Sequence, residues 1–541
     1  MLTSSRLVLA HFWVAFSAFL AACVLGVWQM WVRSPLAAPQ DVPERYYQSV
    51  TAHGVSMAFV LTTFFIMGFG YYVAETALKR ALPGRGWAWA AFWISLAGVV
   101  LAVAPIAAGQ ASVLYTFYPP LTGSVWFYIG LVLVVAGSWI WCVLMLLAMG
   151  GFKRAHPGVP VPLAMYGTVA NAVMWLWTTV GVACEIVFQI IPAVMGWTQT
   201  IDVGLSRTLF SWTLHAIVYF WLIPAYIAFY TMAPRAAGGR LYSDMMGRLT
   251  FVLFLLYSLP VGMHHLFMDP EHSTGFKFVQ MSLTALVSIP TLLTVFTISA
   301  SMELAGRLRG GKGLFGWIGA LPWDRPMVLA TGLAFFMLWF GGGGGLINMS
   351  YGMNAMVHNT SWVTAHFHLI FGGTVVIMYF AIAYEIWPSL MRQARRSARL
   401  QRLQLWLWAI GMMVMTLPWH VLGLQGQWRR VASFDYTDAR IALWGPWVIV
   451  SLAGGVVLLA SAALFVWNLL PQRAAPLTER APPYAYALAA HPPHRVPAVL
   501  NSFGLWNILV AVLMAAAYGF PILQFFLGDS PQAVIHPVTG R

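Results

Sequence analysis

The chain has 541 residues, of which 60% are hydrophobic and only 8% are charged. Soluble globular proteins carry roughly 25% charged residues, and no water-soluble fold hides so much apolar surface behind so few charges. This composition excludes a soluble enzyme, a disordered scaffold and, despite the formal charge of +14, a nucleic-acid partner. We therefore predict an all-α integral membrane protein embedded in a lipid bilayer.

Apolar stretches of about 20 residues, the length that crosses a bilayer as a helix, recur along the whole chain. They form a single transmembrane domain over residues 1–541, without a soluble domain or an internal repeat. In chain order they predict about thirteen spans, at residues 7–32, 51–77, 88–108, 125–149, 163–192, 209–232, 249–268, 277–300, 327–347, 362–388, 404–424, 443–470 and 503–528.

The distribution of basic residues predicts the orientation of these spans, because cytoplasmic loops are enriched in lysine and arginine. With the N-terminus in the cytoplasm, 21 of the 29 basic residues fall in cytoplasmic segments and 8 in external ones. Clusters such as Arg392 to Arg402 are interpreted as topology anchors beside anionic lipid. The odd number of spans places the C-terminus outside. Residues 471–500, rich in proline and alanine, are predicted to be a cytoplasmic connection between spans 12 and 13.

Six histidines fall in or at the ends of predicted spans, where a polar side chain is costly and by default suggests function. Under the predicted orientation all six lie in the outer third of the membrane, although more than 300 residues separate the first from the last. They are His53, His215, His264, His265, His366 and His368. Convergence on one layer indicates a shared site.

The spacing of these histidines predicts more than one metal centre. Residues two apart on a helix differ by about 200° in direction, so His366 and His368 face opposite sides and serve different metals, as two haems would require. Adjacent His264 and His265, with His215 from the preceding span, offer three imidazoles to one ion, a donor set that favours copper or zinc. Tyr219 follows His215 by four residues and lies on the same helix face.

Six stretches, together with this constellation, resemble a known family. They are TAHGV at 51–55, VLYTFYPP at 113–120, HAIVYFWLIPAY at 215–226, VGMHH at 261–265, ELAGRLRGGKGLFGWIGALPW at 303–323 and VHNTSWVTAHFHL at 357–369. The sequence resembles subunit I of the haem–copper terminal oxidases, most closely the B family of cytochrome c oxidases. The resemblance implies a bundle of membrane helices that reduces dioxygen to water with electrons from cytochrome c, coupled to proton uptake and pumping.

The resemblance also implies a role for each histidine. His53 and His368 become the axial ligands of a low-spin haem of b type, and His366 the proximal ligand of a high-spin haem of a type or a variant of it. The remaining three hold one copper ion: His215, His264 and His265. Tyr219 is expected to be covalently joined to His215 and to supply an electron and a proton.

The proton supply implied by the resemblance is a single uptake path. The A family carries a glutamate two residues after the first copper ligand, where this chain has Ile217. The B-family path is expected instead along Tyr226, Tyr230, Thr291 and Thr294. The residues expected near the haem propionates are Arg429, Arg430, His358 and Asn354.

The sequence departs from the family pattern at several positions. Asn354 replaces the usual aspartate, and Leu214 and Ala216 replace the glycine and proline that usually flank the first copper ligand. Ser211 replaces a common tryptophan. Glu185, a carboxyl within span 5, is expected to form a structural hydrogen bond. The cysteines lie in apolar runs without ligand spacing, at Cys23, Cys142 and Cys184.

The chain has no pair of cysteine thiolates that could form a dinuclear copper entry site, which implies a partner subunit that carries one. Electron entry is expected through a subunit II with a dinuclear copper site, fed by cytochrome c or a similar donor, in the inner membrane of a bacterium or archaeon. Three alternatives stay open: a nitric oxide reductase on the same fold, a non-catalytic electron-transfer subunit with two haems, and a secondary transporter. Tyr219 and the absence of a glutamate beside His264 and His265 argue against the first, and the surplus histidines against the others.

Overall fold

Long helices dominate the computed structural model, which describes residues 3–37, 43–391, 397–470, 482–492, 495–528, 530 and 532–535. We number the long helices in chain order as α1 Ser5–Val32, α2 Pro43–Leu78, α3 Arg85–Ala107, α4 Val125–Ala155, α5 Leu163–Val194, α6 Val203–Ala236, α7 Asp244–Ser258, α8 Thr274–Leu308, α9 Pro326–Met349, α10 Ser361–Met391, α11 Ala398–Leu424, α12 Gly445–Leu469 and α13 Gly504–Leu527. Shorter helices lie at Gly262–Leu266, Gly316–Ala320, Tyr351–Val357, Ala439–Ala442 and Ala498–Leu500. The all-α membrane fold is confirmed.

Twelve of these helices, all except α7, are long and apolar enough to cross a membrane over the described ranges. The prediction of one continuous span at 249–268 is wrong in detail. The α-helix ends at Ser258 and the chain continues through a 3₁₀ helix, Gly262–Leu266. Pro260 lacks the backbone N–H that would extend the helical hydrogen bonds, and the N–H of Gly262 instead donates to the Tyr518 hydroxyl on α13 at 2.9 Å.

Close pairs of helices build the bundle, in particular α3 with α4, α5 with α6, and α11 with α12. Glycine allows the closest approach between α3 and α4. A Cβ on Gly98 would lie 2.6 Å from the carbonyl oxygen of Gly130, and a Cβ on Gly130 would lie 2.6 Å from Ala102 N. Such small-residue contacts drive association in lipid, where apolar surface alone gives no preference for protein over lipid.

The helices that carry four of the six predicted ligands lie at the centre of the bundle. The apolar windows of α2, α6 and α10 are 94%, 89% and 89% buried, whereas that of α13 is 28% buried. Both α2 and α10 change to π-helix close to their histidines, at Ser56–Leu61, three residues after His53, and at Leu369–Val376, directly after His368. Such wide turns occur frequently at functional sites.

The described ends of the chain agree with the predicted crossing pattern. Near the N-terminus, the backbone N–H of Thr3 and the hydroxyl of Ser4 donate to the Glu75 carboxylate at 3.0 and 2.9 Å, which joins the start of α1 to the end of α2. Near the C-terminus, β2, Gln532–Val534, pairs antiparallel with β1, Thr200–Asp202, which lies between α5 and α6. Eight predicted spans, α6 to α13, lie between the two strands along the chain, and an even number of crossings places both strands on the same side.

The predicted connection at 471–500 lies partly outside the described residues, which exclude 471–481 and 493–494, as they exclude 392–396 of the basic cluster at 392–402. Its described part packs across the ends of α2 and α6. The N–H of Tyr484 donates to the Tyr72 hydroxyl at 2.9 Å, and the N–H of Ala487 donates to the carbonyl of Thr231 at 2.7 Å.

Candidate metal centres

His53 on α2 and His368 on α10 face each other across a cavity. Their ring centres are 6.4 Å apart and their planes are inclined by 21°. An ion held by both imidazoles at ~2 Å from each nitrogen separates the two ring centres by roughly 6 Å. The pair therefore fits two axial ligands of one iron, and Trp419 packs edge-on against His368 at 5.2 Å between ring centres.

Backbone carbonyls fix the tautomer of both rings. The Nδ1 of His53 donates to Ala22 O and the Nδ1 of His368 to Thr364 O, each at 2.8 Å. Because a carbonyl only accepts, each Nδ1 carries the proton and each Nε2 keeps its lone pair for a metal. Small residues leave room beside the rings: Gly26 lines the same cavity, and a Cβ there would lie 3.2 Å from His53 Cε1.

His366 points away from this cavity, as the two-residue spacing predicts. Its Nδ1 donates to Gly341 O on α9 at 2.7 Å, which again leaves Nε2 available. Glycines of α9 adjoin the ring, since a Cβ on Gly345 would lie 2.9 Å from His366 Cε1. His366 also lies close enough to act electrostatically on the three remaining histidines, His215, His264 and His265.

Those three histidines form a compact cluster. One ligand atom of each lies within 4.8 Å of the others. Thr284 Oγ1 is hydrogen-bonded to His264 Nδ1 at 3.2 Å, and the buried Nε2 atoms of His215 and His265 have no partner among the described residues. Unpartnered buried nitrogens in an all-imidazole set fit a copper ion, which such donors bind well.

Tyr219 lies one helical turn from His215, and the two ring centres are 5.0 Å apart. Phe254 of α7 packs on its other side at 5.4 Å between ring centres. The phenol therefore borders the three-histidine cluster, as the sequence predicts.

Comparison with known proteins identifies the family. Residues 6–457 match the family described as Cytochrome C and Quinol oxidase polypeptide I. The chain belongs to this family.

Individual relatives show which proteins this haem–copper oxidase subunit I is similar to. The cytochrome c oxidase subunit 1 of Thermus thermophilus is 39% identical over 490 residues, covering 89% of this chain and 87% of the relative. Subunit 1 of Synechocystis is 25% identical over 84% of this chain and 81% of the relative. A solved haem–copper terminal oxidase dimer matches with a TM-score of 0.92 and 31% identity, over 99% of this chain and 95% of the other.

These findings confirm a catalytic subunit of a terminal oxidase in a multi-span membrane protein, and the Thermus relative is consistent with the B family. Nothing in them favours a nitric oxide reductase. Membership of this family implies haem and copper, which the histidine geometry above fits.

The residues predicted for the proton path are brought together in pairs. The Tyr226 hydroxyl donates to Thr291 Oγ1 at 3.2 Å, and the Tyr230 hydroxyl is 2.9 Å from Thr294 Oγ1. Tyr230 is also 2.9 Å from Thr250 Oγ1, a buried partner on α7 that sequence reasoning missed. These pairs join α6 to α7 and α8.

Arg429 and Arg430 line the cavity of His53 and His368. Burial, followed by the adjacent charge of Arg430, lowers the pKa of Arg429 to about 10. Arg429 donates to Asn359 Oδ1 at 3.0 Å, and the guanidinium of Arg430 lies 5.3 Å from the ring centre of Tyr115. This geometry suits carboxylates such as haem propionates.

His358 and Asn354 lie on the same outer side. Burial and then the charges of Arg429 and Arg207 lower the pKa of His358 to about 4, so its ring is neutral near neutral pH. The backbone N–H of His358 donates to Asn354 O at 2.7 Å. The Asn354 side chain donates to Asn348 O at 2.7 Å, and its own Oδ1 has no partner among the described residues.

The departures around the first copper ligand do not break the helix. Residues 214–216 continue α6 without interruption, and Ala216 is fully buried. The Ser211 hydroxyl donates to Thr208 O at 2.7 Å and contacts Met263 Sδ at 3.1 Å, directly before His264. Ser211 thereby joins α6 to the segment that carries the other two histidines of the cluster, His264 and His265.

Sequence reasoning missed Thr284 and Gly341, which hold His264 and His366. Their only signal is position: Thr284 follows His264 by 20 residues, and Gly341 opens a run of five glycines in a predicted span. Neither distance in sequence reveals a contact between helices.

Proposed function

We propose that this subunit takes electrons originating from cytochrome c or a similar donor and reduces dioxygen to water, coupled to proton uptake from the cytoplasmic side and to pumping. It would act in the inner membrane of a bacterium or archaeon, beside a subunit II that carries a dinuclear copper entry site. The carrying observation is that His366 lies close to the three-histidine cluster and that Tyr219 lies at the edge of that cluster.

The histidines divide into three sets in this proposal. His53 and His368 would hold a low-spin haem of b type, and His366 a high-spin haem of a type or a variant. His215, His264 and His265 would hold one copper ion. When bound, the haems and copper carry electrons and reduce dioxygen. Support comes from the ring geometry of the first pair and the free Nε2 atoms of the cluster.

Tyr219 would supply a proton at its phenol oxygen, next to the reacting centre, and an electron from its ring. A covalent bond to His215, as the resemblance implies, would hold the phenol in position. The adjacency of the two rings, 5.0 Å apart, supports this role.

Protons would reach Tyr219 along α6. Tyr226 with Thr291 and Tyr230 with Thr294 offer hydroxyls that both donate and accept, which a proton route requires. Their hydrogen bonds of 3.2 and 2.9 Å support a path from the cytoplasmic side. Arg429 and Arg430 would bind haem propionates, with His358 and Asn354 nearby on the outer side.

Metal and haem analysis of the purified protein tests this proposal. We expect about two haems and about one copper per chain, with oxygen consumption when a reduced cytochrome c is supplied. About two haems with an additional iron and no copper would instead indicate nitric oxide reduction. Two haems without a third metal would indicate an electron-transfer subunit.

A further inference from the structure

Glu185 is a carboxyl in the interior of α5 that the proposed function does not use. Its side chain is 0% exposed, and neither Oε1 nor Oε2 has a hydrogen-bond partner among the described residues. The structural hydrogen bond expected from the sequence is therefore not formed with any described residue. A charged carboxylate is very costly in such surroundings, so the resting side chain is a neutral acid that holds a proton.

Glu75 on α2 shows what a structural glutamate looks like in this fold. It is also buried, but its carboxylate accepts from the N–H of Thr3 at 3.0 Å and from the hydroxyl of Ser4 at 2.9 Å. Glu185 makes no comparable contact in the described structure.

The backbone around Glu185 is unusual in the same way as the backbone around the haem ligands. Three π-helical segments occur among the described residues. One begins directly after His368, one begins three residues after His53, and the third, Ile186–Ile190, begins directly after Glu185. Because π-turns cost regular hydrogen bonds and concentrate at functional sites, this one marks Glu185 as more than a packing residue.

Toward the metal centres, Glu185 has ionisable neighbours. The hydroxyls of Tyr118 and Tyr128 are close enough for a charge on Glu185 to act on them. The ring centre of Tyr118 lies 5.4 Å from the guanidinium of Arg207. Arg430 is also close enough to interact electrostatically with the Tyr118 hydroxyl. Arg430 lines the cavity of His53 and His368, so on this side the ionisable groups near Glu185 extend to that cavity.

Toward the outer surface, polar side chains continue from Glu185. Gln189 lies about one turn further along the same helix, and its Oε1 accepts from the Ser206 hydroxyl at 3.1 Å. The Gln189 Nε2 is buried and unpartnered among the residues described. Ser206 lies in the first turn of α6, whose N-cap is Asp202 in β1. The polar side chains therefore continue from Glu185 to the start of α6, where β1 pairs with β2.

We propose that Glu185 takes up and releases one proton in each cycle, as a carrier between the outer face of the metal centres and the outer surface. On release, its carboxyl O–H bond breaks and the proton leaves along Gln189 and Ser206 to external water. On reloading, a proton that entered from the cytoplasmic side binds the carboxylate from the Tyr118 side. The titratable and charged groups around this route are Tyr118, Tyr128, Arg207, Arg430 and Asp202. The proposal rests on the proton coupling proposed above.

Infrared difference spectroscopy of the complete enzyme tests the proton exchange directly. Reduction with dithionite is expected to change the C=O stretching band of a protonated carboxyl. Glu185→Gln keeps the side-chain volume and is expected to remove that band, whereas Glu185→Asp shifts it. Glu75→Gln is the matched control and leaves the band in place. An unchanged band in Glu185→Gln overturns the proposal, and this readout does not require oxygen reduction.

Proton release from the enzyme in vesicles gives the second readout. For Glu185→Gln we expect at least about a two-fold drop in protons released outside per electron, with oxygen consumption within about two-fold of the unsubstituted enzyme. Equal proton release by the two forms overturns the proposal. Failure of the unsubstituted enzyme to consume oxygen is a failure of the proposed function instead, and the infrared experiment still decides the role of Glu185.

Discussion

His366 and His368 are separated by one residue on α10, yet their imidazoles have different neighbours. The Nδ1 of His366 donates to Gly341 O at 2.7 Å on α9, whereas the ring of His368 lies opposite His53 with 6.4 Å between ring centres. The helix turns about 200° over this interval, so the two rings lie on opposite sides of α10. Loss of one of these histidines is therefore expected to leave the surroundings of the other intact.

This separation predicts different losses for two neighbouring substitutions. His368→Ala is expected to abolish the low-spin haem spectrum and leave the high-spin haem, while His366→Ala does the reverse. Each variant should retain about one haem per chain because each substitution removes an axial ligand of one iron only. Optical spectra with pyridine haemochrome analysis measure this. Loss of the same haem in both variants would contradict the assignment.

Tyr219→Phe removes only the phenol oxygen beside His215. We expect oxygen consumption to fall by about 10²-fold or more, the scale of losing a positioned proton donor, with haem and copper contents unchanged. Tyr257→Phe on α7 is a matched control that should keep near-normal activity. Activity of Tyr219→Phe close to that of the unsubstituted enzyme would remove Tyr219 from the reaction.

Thr294→Val tests the predicted proton path, because it replaces the hydroxyl that lies 2.9 Å from Tyr230 by a methyl group of the same shape. Turnover is expected to slow by about ten-fold as a hydrogen-bonded link is lost. Thr294→Ser keeps the hydroxyl and should restore most of the rate. Equal oxygen consumption by the valine and serine variants would show that no proton passes Thr294.

Thr284→Val is expected to weaken copper binding by about 10- to 100-fold, the usual effect of losing a hydrogen bond to a metal ligand. Its hydroxyl is 3.2 Å from His264 Nδ1 and orients that ring. Thr284→Ser serves as the control that keeps the contact. Copper retained during titration with a chelator gives the measurement, and identical retention in both variants would assign Thr284 a packing role.

His358 predicts a pH dependence of stability. Burial and nearby arginines lower its pKa from 6.5 to about 4 in the folded protein. Between pH 6.5 and about 4, the unfolded chain binds a proton at His358 that the folded chain does not. The stability that the neutral His358 allows the folded state is therefore fully present above pH 6.5 and is lost as the pH falls toward 4. His358→Gln should therefore lose less stability on acidification. Midpoints of thermal haem loss at about pH 7 and about pH 5 measure the difference, and parallel losses would refute it.

Much of the fold could be read from the sequence because lipid imposes simple rules. A span needs about 20 apolar residues and internal backbone hydrogen bonds, so twelve of the predicted spans recur as long helices. The seventh differed because Pro260 and the contact of Gly262 with Tyr518 on α13 shorten its helix. That contact joins residues 256 positions apart, which no local pattern reveals.

The candidate site, like the fold, could be predicted from the sequence only in part. The identity of the histidines, their common depth and the opposite directions of His366 and His368 follow from composition, topology and helical period. Other features depend on which helices are neighbours. These are the hydrogen bonds that Thr284 forms with His264 and that the carbonyl of Gly341 accepts from His366. The lack of a described partner for the Glu185 carboxyl is another. The sequence by itself determined the chemistry available to this protein, because residue type and periodicity are local. Only the tertiary structure decided which groups meet, because contacts between helices arise from packing across hundreds of residues.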